Sequence, residues 1–564
     1  MTTSTTGAAL FVDALERYGV EYVFGNPGTT ELPILEAIDQ TDLEYVLALH
    51  EDVAVGMAAG YAQTRRYHAQ EDESIRPVGV VNLHVAPGLA HGLGNLHGAA
   101  AAGAPLVVTA GNHGTGVRHQ EPILSGDLAR TAAAHCTWSD EVLDVAALPT
   151  MLRRAFRVAT TPPTGPVFLG LPLDVLLAET DDEPERLGPV PTAGGGDPAQ
   201  LERAATLLVA ADRPVLVVGD GVARAGRNAV AAAVEFAEAT GARVHGEILS
   251  SEVAFPTEHD QWVSHVPPDG KLARRLFDAE TIVFAGCSTN ATVTGHEKPI
   301  VDRGTVCIHL GADAWQLGKN RPADAAILGD PGVVLDELAT RVRTRLPEDE
   351  RRDRLEDAVA TADTVATKLA AGGSSSGNGR PGDRRATVDD LVEAIERVAA
   401  DAFVVDESVT AKHALLSRVP LEPTQYVSNK GGGLGYGLPA AVGAALAESD
   451  RGESSDVIAF VGDGSYYYYP QAIYSAVRRR IDLTVVVANN RRYRALEENA
   501  NSLLGSNRSD VVGTDIDPAV DPVRSARSYG ARGERVETAD EIEAALADAL
   551  ARDGVDVVDV RLRE

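Results

Sequence analysis

Short runs of apolar, mostly β-branched residues alternate along this chain with longer alanine-rich segments of helical spacing. In the first third, the apolar runs 78–83, 105–111 and 166–172 predict buried strands, and the segment 52–66 predicts a helix between them. Strands that are apolar throughout, rather than alternating with polar residues, are typical of parallel sheets covered on both faces. The pattern therefore predicts α/β units built on a parallel sheet.

The alternation is interrupted twice and restarts each time. The first interruption is the Gly- and Pro-containing segment 192–198, and the second is 371–383, whose Gly, Ser and Pro content is typical of a flexible linker. We therefore predict an α/β protein of three doubly wound parallel-sheet domains. Their bounds are 1–190, 198–345 and 385–564, with a linker at 346–384.

Composition narrows the possible partners. The chain has 564 residues, 51 Lys and Arg against 82 Asp and Glu, and a formal net charge of −31. Nucleic acids and anionic membranes attract clusters of Lys and Arg, so we expect neither as a partner. The scarcity of lysine and the acidic excess favour a halophilic protein, since ~1 M salt reduces the Debye length to about 3 Å. An ordinary acidic enzyme is the alternative.

The cysteines and the amino-terminal segment indicate the compartment. Cys136, Cys287 and Cys307 are widely spaced and form neither a zinc pattern nor a disulfide framework. The first residues have no basic segment and no long apolar run, which is unlike a signal peptide. No apolar stretch of about 20 residues could span a bilayer. We expect a cytoplasmic protein without a membrane segment.

The strongest chemical signal lies in the third predicted domain. One apolar run, 456–461, leads into Gly462-Asp463-Gly464-Ser465, and the next, 483–488, ends at Asn489-Asn490. Open α/β sheets bind ligands at the carboxyl ends of their strands, and carboxylate and amide oxygens suit a Mg²⁺ ion that bridges phosphates. Glycines let the backbone approach a diphosphate closely. Two ordinary turns are the alternative interpretation.

This segment resembles the signature of thiamine diphosphate (ThDP) enzymes, in which GDG is followed at this spacing by NN. The resemblance implies ThDP and Mg²⁺ as cofactors, with Asp463, Asn490 and the backbone carbonyl of Arg492 holding the metal. It makes the three domains pyrimidine-binding, central and diphosphate-binding, in that order. The residues implied to contact the cofactor in the third domain are Thr410, Gly432, Leu434, Gly462, Asp463, Gly464, Ser465, Asn490 and Tyr493.

Leu434 and Thr410 come from other segments of that domain. Leu434, in a glycine-rich segment similar to the family's GGLGFALP, stands where a bulky apolar residue enforces the V shape of the cofactor. That shape brings the 4′-nitrogen over C2, which is a proximity advantage. Thr410 matches a hydroxyl of the family's NESTS segment, which contacts the diphosphate, whereas Val409 lacks one.

The first domain carries a further resemblance. From residue 25 it reads GNPGTTELP, which looks like the GNPGSNELP segment of benzoylformate decarboxylases. The resemblance implies that Asn26, Pro27 and Gly28 contact the cofactor. Thr29 replaces the family's serine that contacts the substrate carboxylate, and it keeps the hydroxyl group while adding a methyl group.

The remaining catalytic candidates are one glutamate and the histidines. Glu51 stands where the family's glutamate bonds the pyrimidine N1′ of ThDP, although an acidic residue at a helix start also has a purely electrostatic role. His84, in Asn82-Leu83-His84, matches the histidine of the family's NLHS segment, which transfers protons. His259 follows an FPT motif as the second active-site histidine does, and His265 is its rival; a structural role is the alternative for each.

The resemblance implies decarboxylation of a 2-oxo acid through a C2 ylide and an enamine, as in benzoylformate decarboxylase. An acetolactate synthase-like carboligase is the second reading, although Thr292 stands where those enzymes carry an arginine, and it cannot replace that charge. A catalytically silent structural subunit is the third. The family's site lies between the first domain of one subunit and the third of another, so we expect at least a homodimer and more commonly a homotetramer. Gly219-Asp220-Gly221 suggests a nucleotide fold only weakly, and FAD is not predicted.

Overall fold

The computed structural model describes residues 5–288, 298–373, 384–451, 455–504 and 511–563. These residues form three α/β domains, each built on a six-stranded sheet. Every strand pair within the three sheets is parallel, and helices cover both faces. The predicted fold class is confirmed.

The first domain has the sheet order β3-β2-β4-β5-β7-β6, and a two-stranded antiparallel pair, β1 and β8, ties its ends together. Its strands are β1 (Thr5–Thr6), β2 (Tyr22–Gly25), β3 (Glu44–Leu47), β4 (Gly79–Leu83), β5 (Leu106–Asn112), β6 (Trp138–Glu141), β7 (Val167–Pro172) and β8 (Glu179–Thr180). Its helices are α1 (Gly7–Arg17), α2 (Leu32–Ile38), α3 (Glu51–His68), α4 (Val85–His91), α5 (Leu93–Ala102), α6 (Leu128–Ala132), α7 (Leu148–Thr160) and α8 (Leu173–Leu177).

The central domain has the sheet order β11-β10-β9-β12-β13-β14. Its strands are β9 (Val215–Val218), β10 (Arg243–Gly246), β11 (Trp262–His265), β12 (Thr281–Ala285), β13 (Val306–Gly311) and β14 (Ala325–Leu328). Its helices are α9 (Pro198–Val209), α10 (Asp220–Ala225), α11 (Arg227–Thr240), α12 (Gly270–Leu276), α13 (Pro331–Arg345) and α14 (Glu348–Gly373). Helix α14 fills much of the segment predicted as a linker, and it packs on α11 and β11; residues 374–383 lie outside the described ranges.

The third domain has the sheet order β16-β15-β17-β18-β20-β19. Its strands are β15 (Phe403–Glu407), β16 (Tyr426–Ser428), β17 (Val457–Gly462), β18 (Leu483–Asn489), β19 (Arg532–Val536) and β20 (Val555–Arg561). Its helices are α15 (Val388–Ala399), α16 (Lys412–Arg418), α17 (Gly437–Ser449), α18 (Asp463–Tyr466), α19 (Ala472–Arg479), α20 (Arg494–Leu504), α21 (Pro522–Ser528) and α22 (Ile542–Leu550).

Helices α3 and α17 join the first and third domains. Both are almost wholly buried, and they cross at backbone contact. A Cβ atom on Gly60 would lie 2.0 Å from the carbonyl oxygen of Ala440, and one on Gly443 would lie 1.9 Å from that of Met57. Only glycine allows this approach, so these two positions fix how the domains pack.

The described part of the chain has no helix with the length and apolar character needed to cross a membrane.

Candidate active site

The sheet of the third domain brings the two strongest sequence motifs together. Strands β17 and β18 run in parallel, with Gly462 opposite Ala488. Asp463 therefore follows β17 at the level where Asn489 ends β18 and Asn490 follows it. This is the carboxyl edge of the sheet, where open α/β proteins bind ligands.

Asp463 is a buried carboxylate with one free oxygen. Its Oδ1 accepts a hydrogen bond from the Gly464 amide at 2.9 Å, whereas its Oδ2 is buried without a partner among the described residues. Burial raises the pKa of this carboxyl group from 3.8 to about 6. A buried, unpaired carboxylate oxygen is unfavourable unless something positive meets it. Since hard oxygen ligands suit Mg²⁺, the residues present fit the implied metal.

The two asparagines after β18 have different environments. Asn489 is buried and donates through Nδ2 to Asp559 at 2.6 Å, which is a structural contact. Asn490 is half-buried, and its Oδ1 accepts from the Arg492 amide at 3.0 Å. The Arg492 guanidinium lies 3.0 Å from the Asp515 carboxylate, so its side chain turns to an ion pair. Asn490 and the Arg492 backbone therefore remain as candidate metal ligands.

Other predicted contacts surround the same strand ends. Ser465 donates its hydroxyl group to the Glu407 carbonyl at 2.9 Å, and the Tyr493 ring packs on Gly464, where a Cβ atom would lie 2.6 Å from Cε1. Thr410 is half-buried in the turn that follows β15, and its amide donates to the Ser408 carbonyl at 2.7 Å. The predicted third-domain residues Gly462, Asp463, Gly464, Ser465, Thr410, Asn490, Arg492 and Tyr493 thus lie around the ends of β15, β17 and β18.

The glycine-rich segment that carries Gly432 and Leu434 is anchored by a residue that the sequence analysis did not single out. Glu407 ends β15, and its carboxylate accepts from the amides of Gly435 at 3.1 Å, Tyr436 at 3.2 Å and Gly437 at 3.0 Å, and from Asn429 Nδ2 at 2.7 Å. Burial raises its pKa from 4.5 to about 7. The sequence did offer one signal for Glu407, because it lies in the segment 406–410 that matches the family's NESTS segment.

The first-domain candidates lie at the carboxyl edge of their own sheet. Asn26, Pro27 and Gly28 follow β2, Thr29 is exposed at the start of a single 3₁₀ turn, and His84 follows β4 as the residue before α4. The His84 ring packs on Gly28, where a Cβ atom would lie 2.2 Å from Nδ1. This part of the prediction forms one local cluster.

Glu51 is the first residue of α3, and its side chain is 11% exposed. Its Oε2 lies 3.3 Å from Nδ1 of His91, which is itself largely exposed. His50, Glu51 and His91 present ligand atoms within 4.8 Å of one another, close enough to hold one metal ion. Glu51 therefore faces a region that a ligand can reach.

His259 and His265 lie apart from these clusters. His259 Nε2 faces Glu238 of α11 at 3.6 Å, and its ring contacts Phe255. His265 ends β11, is buried beside Trp262, and has a pKa lowered to about 3 by burial. The described contacts join neither histidine to Glu51, His84 or Asp463, so the choice between them stays a prediction.

Within one chain, the first and third domains are connected by a hydrogen-bonded pair that the sequence does not show, Tyr469 and Asp52. Tyr469 donates to Asp52 Oδ2 at 2.9 Å, next to Glu51, and its ring lies against Gly435 of the glycine-rich segment. Asn95 of α5 donates to the Gly435 carbonyl at 3.4 Å. These contacts fix the amino terminus of α3 against the third domain.

Comparisons with known proteins agree with this arrangement. Three domains of the thiamine pyrophosphate enzymes match the chain: the N-terminal binding domain over residues 5–131, the central domain over 201–338 and the C-terminal binding domain over 409–560. Benzoylformate decarboxylase of Pseudomonas aeruginosa is 32% identical over 556 residues, 97% of either chain. The large subunit of acetolactate synthase isozyme 3 of Escherichia coli is 27% identical over 97% of this chain and 92% of its own length.

A solved structure gives the same result. The 4-hydroxybenzoylformate decarboxylase of Rhodococcus jostii RHA1, a thiamine diphosphate-dependent enzyme, superposes with a TM-score of 0.83 at 28% identity and covers 99% of both chains. The three matched domains follow in the order that the sequence predicts. The chain belongs to the thiamine diphosphate-dependent enzymes of the decarboxylase and acetolactate synthase family.

Proposed function

We propose that this protein is a Mg²⁺-dependent lyase that decarboxylates a 2-oxo acid, with a substrate like that of benzoylformate decarboxylase. The observation that carries the proposal is the buried Asp463 Oδ2, which has no hydrogen-bond partner among the described residues and lies with Asn490 at the carboxyl ends of β17 and β18. Thr29, Glu51 and His84, which all follow strands at the carboxyl edge of the first-domain sheet, support decarboxylation as the reaction.

The third domain supplies the residues for the cofactor. Asp463, Asn490 and the Arg492 carbonyl would hold Mg²⁺, and the amides and hydroxyl groups around Gly462, Ser465 and Thr410 would hold the diphosphate. Bound ThDP supplies the electron sink for loss of CO₂. The chain's own part is to bind, orient and exchange protons at fixed atoms.

Four side chains have proposed roles around the reacting atoms. Leu434 supports the bent form of the cofactor, and Glu51 holds a proton at the pyrimidine ring. Thr29 offers its hydroxyl group to the substrate carboxylate. His84 exchanges a proton with the substrate or the product, which is worth about 10²–10⁴-fold in rate for a positioned side chain. His259, with His265 as rival, is the proposed second histidine.

An acetolactate synthase-like carboligase is the second candidate, because relatives of that kind match nearly the whole chain. Thr292, which would weaken that reading, lies outside the described residues. A catalytically silent subunit is the third candidate, although Glu51, Asp463 and Asn490 are all present.

We propose a homodimer as the minimum assembly and a homotetramer as the working assembly. The family resemblance implies a site formed by the first domain of one subunit and the third domain of another.

The deciding experiment measures CO₂ release in high salt with ThDP and Mg²⁺, comparing benzoylformate with pyruvate. We expect turnover of benzoylformate and an aldehyde as the organic product. Acetolactate from pyruvate would instead establish the carboligase. Retention of ThDP without turnover of either acid would contradict the aromatic substrate and favour other 2-oxo acids or the silent subunit.

Glu407→Gln tests the anchor of the glycine-rich segment. The amide can accept through one oxygen only, so its NH₂ group faces backbone N–H donors, and each buried donor left unsatisfied costs about 1–3 kcal/mol. We expect the Kd for ThDP, measured by titration calorimetry with Mg²⁺, to rise about tenfold, which is about 1.4 kcal/mol. Glu422→Gln, at an exposed position of the same domain, is the control. An unchanged Kd would show that Glu407 does not position the segment.

A further inference from the structure

A buried carboxylate lies inside the predicted cofactor loop of the first domain. The Glu31 side chain is fully buried, and it ends the 3₁₀ turn that follows Gly28. Its Oε1 accepts from the Gly111 amide at 3.0 Å and from the Thr30 hydroxyl group at 2.6 Å. Its Oε2 accepts from the Gly28 amide at 2.9 Å and meets His84 Nδ1 at 2.7 Å. Four donors from three segments therefore converge on one carboxylate.

This arrangement decides which imidazole nitrogen of His84 carries the hydrogen. A carboxylate accepts hydrogen bonds, so the short contact with Glu31 requires a hydrogen on Nδ1. Thr30 Oγ1, at 3.2 Å from the same nitrogen, already donates to Glu31 and can only accept from His84. Nε2 is then the nitrogen left for proton exchange. The backbone of Gly28 also packs closely on the ring.

The burial of Glu31 strengthens its contact with His84. Glu31 is shielded from water, whereas the His84 side chain is 25% exposed and can reach a ligand. A carboxylate that orients an imidazole and fixes its tautomer is a recurrent device in catalytic and metal sites. The same carboxylate holds the Gly28 amide, so it also sets the loop that carries Asn26 and Pro27.

We propose that Glu31 is the positioning residue of His84: it keeps the hydrogen on Nδ1, leaves Nε2 free for proton exchange, and fixes the loop of Asn26–Gly28 against the ring. The inference rests on the proposed function for its catalytic consequence, but its structural part is independent of it. Glu31 acts through His84 and is not itself required to touch the substrate.

The structural part is tested by ¹⁵N NMR of histidine-labelled protein, with His84→Gln used to assign the His84 signals among the 14 histidines. We expect the Nδ1–H tautomer in the wild type. Glu31→Gln places an NH₂ group opposite Nδ1, so we expect the Nε2–H tautomer to become the major one. Thr30→Val leaves the carboxylate in place and is the matched control. A wild-type His84 with its hydrogen on Nε2 would overturn the proposal, whatever the enzyme does.

The catalytic part is tested by a double-mutant cycle on CO₂ release from benzoylformate or pyruvate, whichever is turned over. We expect Glu31→Gln to lower kcat at least about tenfold, but no further than His84→Ala does, with KM within about threefold. In the His84→Ala background, Glu31→Gln should cause a much smaller loss than in the wild type, because only its contact with the Gly28 loop is then left to lose. Full additivity, or a wild-type kcat in Glu31→Gln, would overturn the positioning role.

The outcomes separate the two proposals. A wild-type protein that turns over neither acid refutes the proposed function, while the NMR arm still decides whether Glu31 sets the tautomer. Should Glu31→Gln fail to fold, Glu31→Asp replaces it, because the shorter side chain withdraws the carboxylate from Nδ1 but keeps its charge. The same loss of the Nδ1–H form and the same absence of additivity are then expected, and a wild-type tautomer would count against the proposal.

Discussion

Replacing Asp463 by asparagine is expected to remove all stabilisation of the protein by ThDP and Mg²⁺ while leaving the cofactor-free protein at least as stable as the wild type. The cofactor-free carboxylate is buried with a partnerless Oδ2, and burial raises its pKa to about 6. The folded protein therefore keeps this proton to a higher pH than the unfolded chain does. Stability is lost as pH rises from about 4 through 6, by about 3 kcal/mol in all. Asparagine has no charge to bury.

Thermal unfolding with and without ThDP and MgCl₂, at pH 5 and pH 8, checks this expectation. Ligand at 100 times its Kd stabilises the wild type by about 2.7 kcal/mol, and this increment should vanish in Asp463→Asn. CO₂ release should fall at least about 100-fold, since even residues that only support a metal ligand are worth 10–100-fold. Asp456→Asn, exposed at the opposite end of β17, is the control. Equal cofactor-induced stabilisation of Asp463→Asn and wild type would refute the assigned metal site.

Replacing Lys430 by methionine is expected to lower the stability of the protein more than any other substitution proposed for it. The Lys430 ammonium donates to Asp220 Oδ2 at 2.7 Å and to Glu247 Oε1 at 3.0 Å, and all three side chains are buried where the central and third domains meet. The neighbouring lysine and Arg224 hold the pKa of Asp220 far below its usual range. Removing one partner of a buried ion pair costs about 3–5 kcal/mol when it leaves a charge uncompensated; Arg224, 3.5 Å from Asp220, still balances part of this charge, so we expect a loss at the lower end of that range.

We expect the Tm of Lys430→Met to fall by about 5–10 °C, and the urea midpoint to fall with it. Because the pair is buried, concentrated salt should rescue little of this loss. Adding Asp220→Asn should restore part of the stability, since it removes one of the two carboxylates that faced the Lys430 ammonium group. Lys271→Met, at an exposed position, is the control. A Tm equal to that of the control would show that the network contributes nothing to domain packing.

Most of the fold could be predicted from the sequence because each buried strand is visible in the chain as a short apolar run. The run predicted at 166–172 is β7, Val167–Pro172, and the run at 483–488 is β18, Leu483–Asn489. A strand buried on both faces is apolar throughout, so its ends show in the sequence as the first polar or glycine residues. The same property located Asp463 and Asn490, since ligand-binding residues of such sheets directly follow the strands.

Two parts of the prediction concern segments whose tertiary neighbours the sequence does not show. The charged segment from residue 348 was assigned to a linker, whereas α14 runs through it and packs on α11 and β11. His259 was proposed through a three-residue motif; its described side-chain contacts within one chain are with Gln261, Glu238 and Phe255 of the central domain, and its role in the site stays a prediction. A short motif identifies a residue type but carries no information on which neighbour its side chain faces.

The sequence by itself determined the fold class, the family and the strand ends at which the proposed cofactor residues lie, because each depends on residues close together in the chain. Only the tertiary structure decided the partners of Glu31, Glu407 and Lys430. Each of these charges is buried, so its partners must come from whichever segments the fold brings within hydrogen-bond distance. Glu31 meets His84 and Gly111, and Lys430 meets Asp220, across separations that no local pattern records.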